Sequence, residues 1–159
     1  MYKLKPAIKK AGELSEKAKD LKRAAVSNWA REGIISGIVD YEIDENTGGR
    51  SGLYPDSLPI EIAVTAELKK DYKLSKIKTA REEAQAHLKD PKDRDYKGAI
   101  EELNKRLGER ISAPSEQGID NEIKSMDFVI EAIKRTKLTM VYVKKYNYFK
   151  EKFNEGGAK

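Results

Sequence analysis

The chain contains no cysteine and a single histidine, His87. The absence of cysteine excludes disulfides, iron–sulfur clusters, thiolate zinc sites and cysteine nucleophiles, and one histidine cannot form a histidine metal cluster. Apolar runs are also short, because the first ten residues lack the core of a signal peptide and no stretch reaches the about 18 apolar residues of a membrane span. We therefore expect a cytoplasmic protein with no membrane segment and no cofactor.

Charge is abundant and unevenly distributed. Charged residues make up 37% of the 159 residues, hydrophobic residues 38%, and the formal net charge is +5. Residues 1–31 contain nine basic residues and three acidic ones. Residues 32–67 contain one basic residue and eight acidic ones, and residues 68–81 contain six basic residues and one acidic one. Two basic segments thus flank an acidic one, which permits an anionic partner without demanding it.

The N-terminal segment predicts two short helices joined by a tight turn. Pro6 suits the first turn of a helix, and apolar residues at three- and four-residue spacing predict a helix over residues 6–19. Asp20 is the expected N-cap of a second helix, LKRAAVSNWARE. Gly33 is the expected C-cap, because glycine tolerates the left-handed conformation. The apolar stripe comprises Ile8, Ala11, Leu14, Ala18 and Leu21.

A small β-hairpin and two helices are expected next. The segments IISGIVDYEI and SGLY are prone to form strands, and DENTGGR between them is rich in turn formers, including Gly48 and Gly49. The four-residue spacing of Ile60, Val64 and Leu68 predicts a third helix. A fourth is expected from residue 74 or 75 to about residue 87.

The charged segment KDPKDRD at residues 89–95 is the expected domain boundary. It divides the chain into residues 1–88 and residues 92–159, and the second part is expected to be helical. One helix is predicted over residues 96–110 and a long one from about Asp120. The apolar positions of the long helix are Ile123, Met126, Ile130, Ile133 and Val141.

The order helix, tight turn, helix, hairpin, helix, helix is that of a winged helix-turn-helix, whose second helix enters the DNA major groove. In the second helix Ala25, Val26 and Trp29 share one side, which places Trp29 in the core. The other side can read adenine or guanine through Asn and Arg and neutralise phosphate through Lys. An ordinary amphipathic helix whose polar side meets only water is the alternative. The polar side carries Lys22, Arg23, Ser27, Asn28 and Arg31.

The run VSNWAREGII at residues 26–35, followed by SGLY and by LKKDYKLSKIK at residues 68–78, resembles the DNA-binding domain of the MerR family of transcriptional regulators. The resemblance covers about residues 7–85. In that family the recognition helix reads Leu-Arg-Tyr-Tyr-Glu, two further residues, then Gly-Leu-Ile. Val26 falls on the Leu, Trp29 on the second Tyr and Gly33 on the Gly.

The resemblance implies a mainly α protein: a winged helix-turn-helix with a β-hairpin wing, followed by a C-terminal helical dimerisation or effector region. It implies that Ser27 and Asn28 face DNA and that the wing and third helix hold the DNA backbone. It also implies a homodimer, formed through the long C-terminal helix, that places two recognition helices on a two-fold site in double-stranded DNA. The implied backbone contacts are Arg50 and Tyr54 of the wing and Lys69 and Lys70.

Two segments leave alternatives open. The hairpin contains Asp40, Glu42, Asp44 and Glu45, which would repel phosphate if they faced it. Residues 134–150 interleave basic and aromatic residues, which suits either a second nucleic-acid surface or a helix whose aromatics pack on a partner. The long helix is compatible with an antiparallel coiled coil or with a folded bundle.

We expect a sequence-specific DNA-binding transcriptional regulator. No catalytic role is assigned, because the sequence contains no nucleophile–base pair, metal-ligand set or cofactor loop. The first alternative is a phage- or plasmid-type DNA architectural or recombination accessory protein. The second is a helical protein-interaction module whose basic faces bind an acidic partner.

Overall fold

The computed structural model describes residues 1–89, 101–102, 104–105 and 119–157. Within these residues the chain is mainly helical, with one two-stranded hairpin and a long C-terminal helix, which confirms the expected mainly α architecture. The expected boundary after Lys89 and the helix expected over residues 96–110 fall largely outside the described residues. The elements are α1 (Leu4–Leu14), a 3₁₀-helix (Glu16–Ala18), α2 (Arg23–Arg31), β1 (Asp40–Ile43), β2 (Arg50–Leu53), α3 (Leu58–Leu68), α4 (Leu74–Lys89) and α5 (Ile119–Gly157).

The first two helices differ from the sequence prediction at their ends. Ser15 is extended and terminates α1, and its hydroxyl accepts from the Lys17 amide to begin the 3₁₀-helix. Asp20 lies in the following turn, so the N-cap of α2 is Lys22, which makes no side-chain cap bond. The prediction that Asp20 caps the second helix was therefore wrong, because the extra turn of 3₁₀-helix displaces the start of α2 towards the C-terminus.

The expected end of α2 is confirmed. Gly33 follows the C-cap residue and has φ of +79°, a left-handed conformation that residues with a Cβ adopt only at a cost. The amide of Ile34 then donates to the Trp29 carbonyl at 2.9 Å. This reversal turns the chain out of the helix and towards the hairpin.

The hairpin pairs β1 and β2 antiparallel, with Asp40 opposite Leu53 and Ile43 opposite Arg50. Of the two glycines expected to take positive φ in the turn, Gly48 does so, at +70°. A further antiparallel bridge joins Tyr54 to Tyr2, so the chain just after β2 is held against the N-terminus.

Helix α3 lies at the centre of the core. Ten of its eleven residues are buried, so it is surrounded by the other helices rather than facing solvent on one side. The same hydrophobic cluster includes residues of α1, α2 and α4 and, from α5, Leu138, Tyr142 and Phe149. The C-terminal half of α5 therefore packs against the N-terminal helices of its own chain. In the described part of the chain no helix has the length and apolar character needed to cross a membrane.

Candidate nucleic-acid interface

Helix α2 presents a polar side outward and buries its apolar side. Val26 and Trp29 are in the core, the latter only 5% exposed, which confirms the core position expected for Trp29. Ser27 is half-buried. Arg31 donates from Nη2 to Asn28 Oδ1 at 2.5 Å, so these two exposed candidates for base contact are held together in the free chain.

The N-terminus of α2 is open to an anion. No side chain caps it, and its first turn contains no carboxylate. The first amides of a helix lack partners within the helix and carry the positive end of its dipole. Because Lys22 and Arg23 are exposed at this same end, their charges add to that of the helix dipole.

The turn between α3 and α4 lies beside α2. The ammonium group of Lys69 is 5.5 Å from the centroid of the Trp29 ring, a cation–π contact. At the other end of α2, a Cβ on Gly33 would lie 3.4 Å from Cε of Lys78. We call the surface formed by α2, this turn and the first turns of α4 the basic surface. It comprises Lys22, Arg23, Arg31, Lys69, Lys70, Lys73 and Lys78.

The cations of the basic surface are not paired with carboxylates in the described part of the chain. Among the described residues none of its seven cations forms an ion pair with a carboxylate. Elsewhere such pairs are common, as between Lys3 and Glu42 at 2.8 Å. Six of the seven cations are exposed and Lys78 is half-buried. Unpaired cations on one surface raise its potential and attract a polyanion. Sequence reasoning had not singled out Lys73 and Lys78, although the basic excess of residues 68–81 pointed to this segment.

The hairpin has fewer side chains able to bind a phosphate backbone than the sequence suggested. Tyr54 is a core residue with only 6% of its surface exposed, so it is not part of the basic surface. Arg50 is exposed at the start of β2. The four hairpin carboxylates are exposed as well and outnumber this single arginine. The acidic side chains are Asp40, Glu42, Asp44 and Glu45.

A buried polar network holds the C-terminal end of α2 in place. Arg81 of α4 donates from Nε to Glu61 Oε1 of α3 at 2.8 Å, and from Nη1 to the carbonyl of Gly33 at 3.2 Å. Ser36 accepts from Arg81 Nη2 and donates to Glu61, while Ser57 donates to the second Glu61 oxygen. The sequence carried no signal for this network, because its members are distant along the chain.

Two tyrosines of α5 lie close enough to this network to interact electrostatically with Glu61 and Arg81. Burial raises the pKa of Tyr142, and the nearby Glu61 carboxylate raises it further. The pKa of Tyr146 is raised by the same two causes. The Tyr142 hydroxyl is buried and has no hydrogen-bond partner among the residues that the structure describes. These contacts link α5 to the group of side chains that supports α2.

No group of metal-ligating side chains occurs within the described ranges. Comparison with protein-family models, curated proteins and solved structures finds no match.

Proposed function

We propose that this protein binds double-stranded DNA in a sequence-specific manner and regulates transcription, as MerR-like winged helix-turn-helix proteins do. The observation that carries the proposal is the basic surface: Lys69 of the α3–α4 turn lies over Trp29 of α2, and none of the seven cations pairs with a carboxylate of a described residue. A polyanion releases counterions when such cations bind its phosphates, and this supplies affinity. The proposal involves no catalysis and is set in the cytoplasm.

Helix α2 supplies the side chains for base contacts. Arg23 and Arg31 suit the acceptor edge of guanine, and Asn28 suits adenine. The hydrogen bond from Arg31 leaves Asn28 able to bind adenine, because an amide oxygen has a second lone pair and the amide nitrogen remains a donor. Ser27 is half-buried and lies next to Asn28 at the rim of this surface.

The lysines supply backbone contacts. Lys22 flanks the open N-terminus of α2, where a phosphate can accept from the first amides of the helix. Lys69, Lys70 and Lys73 extend the positive surface onto the α3–α4 turn. In this arrangement Arg50 adds one contact from the hairpin wing, whose carboxylates keep the rest of it away from phosphate.

Two copies joined through α5 complete the proposed regulator. A homodimer with a two-fold axis would present two basic surfaces to two half-sites, and the spacing of the half-sites would follow from the dimer geometry. Helix α5 is the longest element of the chain, at 39 residues, and one side of its second half is exposed.

The test is selection of bound sequences from a random DNA pool at near-physiological salt, followed by titration at several salt concentrations. We expect the wild type to enrich a two-fold motif and the Arg23→Ala, Asn28→Ala double variant to lose it. We expect Lys70→Met, Lys73→Met to weaken binding to all sequences and to lower the slope of log K against log salt by about 2. The matched control Lys150→Met alters an exposed lysine of α5 and should leave motif and slope unchanged.

Failure to enrich any motif would remove sequence-specific reading from the proposed function. An unchanged salt slope in the Lys70→Met, Lys73→Met variant would show that the basic surface is not where DNA binds. Circular dichroism of each variant establishes that the exposed substitutions have left the fold intact.

A further inference from the structure

Exposed apolar side chains are concentrated on the hairpin. Seven large hydrophobic side chains are strongly exposed in the described part of the chain, and four of them lie on β1 or just before it. Contiguous apolar surface of this kind marks an interaction site, because leaving it in water carries a free-energy cost. The four are Ile38 (45% exposed), Val39 (59%), Tyr41 (55%) and Ile43 (63%).

Three of these side chains share one face of the hairpin. Side chains alternate along a strand, so Val39, Tyr41 and Ile43 lie on one face and the neighbouring carboxylates on the other, where Glu42 pairs with Lys3. The residue opposite Tyr41 is Gly52, and the Ile38 side chain lies over this glycine, since a Cβ there would be 2.6 Å from Ile38 Cδ1. We call Val39, Tyr41 and Ile43 the apolar hairpin face.

The charge around this face excludes an anionic occupant. Residues 38–53 contain four carboxylates and one arginine in a chain whose net charge is +5. Asp44 and Glu45 lie at the end of the apolar face, immediately beyond Ile43. DNA and an anionic membrane surface would both be repelled. A surface complementary to the apolar hairpin face would therefore carry basic side chains next to an apolar side chain.

The outer side of α5 has this composition. Lys137, Lys144 and Tyr148 are separated by seven and four residues, which places them in one line along a helix. All three are exposed, and Tyr148 is 61% exposed. Neither lysine forms an ion pair with any described residue. We call this line the outer line of α5.

We propose that the apolar hairpin face of one protomer docks on the outer line of α5 of a second copy of this chain. Each protomer carries both surfaces, so in the proposed two-fold dimer the same contact is made twice, once in each direction. The buried face of α5 remains packed on its own chain, as observed, so the dimer requires no unfolding or domain exchange.

The pairing follows from the order of groups along the two surfaces. Tyr41 lies on β1, and Glu45 lies in the turn just beyond the end of that strand. On α5, Lys144 and Lys137 precede Tyr148 by about 6 Å and about 16 Å along the helix axis. With Tyr41 against Tyr148, the acidic turn faces these lysines, and we pair Glu45 with Lys137. The aromatic pair supplies buried apolar area at the centre, and the charge pair sets the direction of docking.

This inference rests on the homodimer part of the proposed function and not on DNA binding. It is therefore tested without DNA, by sedimentation equilibrium of the full chain over a concentration series. We expect the wild type to reach twice the 18.0 kDa protomer mass. We expect Tyr41→Ser, Ile43→Ser to raise the dimer dissociation constant about a hundredfold, because both central apolar anchors are lost. Tyr72→Ser, which alters an exposed tyrosine outside the two surfaces, is the matched control and should dimerise as the wild type does.

A charge exchange tests the partner surface directly. Glu45→Lys and Lys137→Glu should each weaken the dimer about tenfold, and the two substitutions in one chain should restore it to near the wild-type constant, because the attraction is re-formed with its sign reversed. A monomeric wild type, a dimer indifferent to the hairpin substitutions, or a double variant no better than either single one would each overturn the proposal. Loss of DNA binding with the dimer intact would instead count only against the basic surface.

Discussion

Arg81 donates from Nε to Glu61 Oε1 at 2.8 Å, and the two side chains are only 11% and 4% exposed. The pair joins α4 to α3 in the interior, and its remaining hydrogen bonds reach Gly33 and Ser36 at the end of α2. A buried pair with its other hydrogen bonds satisfied is costly to break, because the partner left behind is a buried charge without compensation. The orientation of α2 thus depends on two residues that lie outside it.

Replacing Arg81 with Met should lower the free energy of unfolding by about 3–5 kcal/mol, because the buried Glu61 side chain would lose its ion-pair partner. Urea denaturation monitored by circular dichroism measures this. The control is Lys78→Met on the same helix, where no ion pair is lost and the change should stay within about 0.5 kcal/mol. The double variant Arg81→Met, Glu61→Gln should recover part of the loss, since no charge is then buried alone. Equal stability of wild type and Arg81→Met would show that the pair contributes nothing.

The ionisation of Tyr142 should lower the free energy of unfolding in alkaline solution. In the unfolded chain its hydroxyl ionises near pH 10, whereas burial raises the pKa of Tyr142 in the folded chain. Above about pH 10 the unfolded state therefore releases a proton that the folded state retains, and stability declines by about 1.4 kcal/mol per pH unit from this group. Below pH 10 the contribution is fully present.

Tyr142→Phe should remove that part of the pH dependence. Since the hydroxyl has no partner among the described residues, the variant should be as stable as the wild type at pH 7 or more stable by about 1 kcal/mol. Thermal melts of both proteins from pH 7 to pH 11 provide the comparison. Parallel curves for the two would mean that Tyr142 ionises as readily in the folded chain as in the unfolded one.

Gly33→Ala should destabilise the protein by about 1–2 kcal/mol, because its φ of +79° is strained for any residue with a Cβ. Gly37→Ala is the matched control. Its φ is not positive, and an added Cβ would meet only the Ala30 carbonyl oxygen at 3.8 Å. That change should be neutral or slightly stabilising. If both variants melt at the same temperature, the conformation of Gly33 does not matter for stability.

Phe149→Ala should cost about 3–5 kcal/mol, because the ring is only 4% exposed and fills part of the core shared by α5 and the N-terminal helices. Asn147→Ala, at an exposed position two residues earlier, should change stability by less than about 0.5 kcal/mol. Unfolding monitored by Trp29 fluorescence shows whether the substitution in α5 also destabilises α2. A Trp29 transition unaffected by Phe149→Ala would mean that α5 unfolds separately.

The elements that could be predicted are those governed by local sequence. Glycine at position 33 and the turn formers around Gly48 specify their backbone conformations through their own sterics. The spacing of Ile60, Val64 and Leu68 correctly indicated α3. The start of α2 was misplaced because Asp20 is a suitable capping residue by type, whereas the 3₁₀-helix that Ser15 caps places Asp20 in the turn before α2, whose N-cap is Lys22.

The candidate site likewise has features that could be predicted from the sequence and features that could not. The polar side of α2 and the basic excess of residues 68–81 followed from periodicity and composition alone. Three other features followed only from the tertiary structure. Lys69 lies over Trp29, Tyr54 is in the core, and Glu61 pairs with Arg81. Local propensity depends on neighbours within about one helical turn, whereas these contacts join residues 20 or more positions apart or depend on burial by distant elements. The sequence determined which side chains were available to the site, and the tertiary packing that brings the α3–α4 turn and α4 to the ends of α2 decided which of them meet.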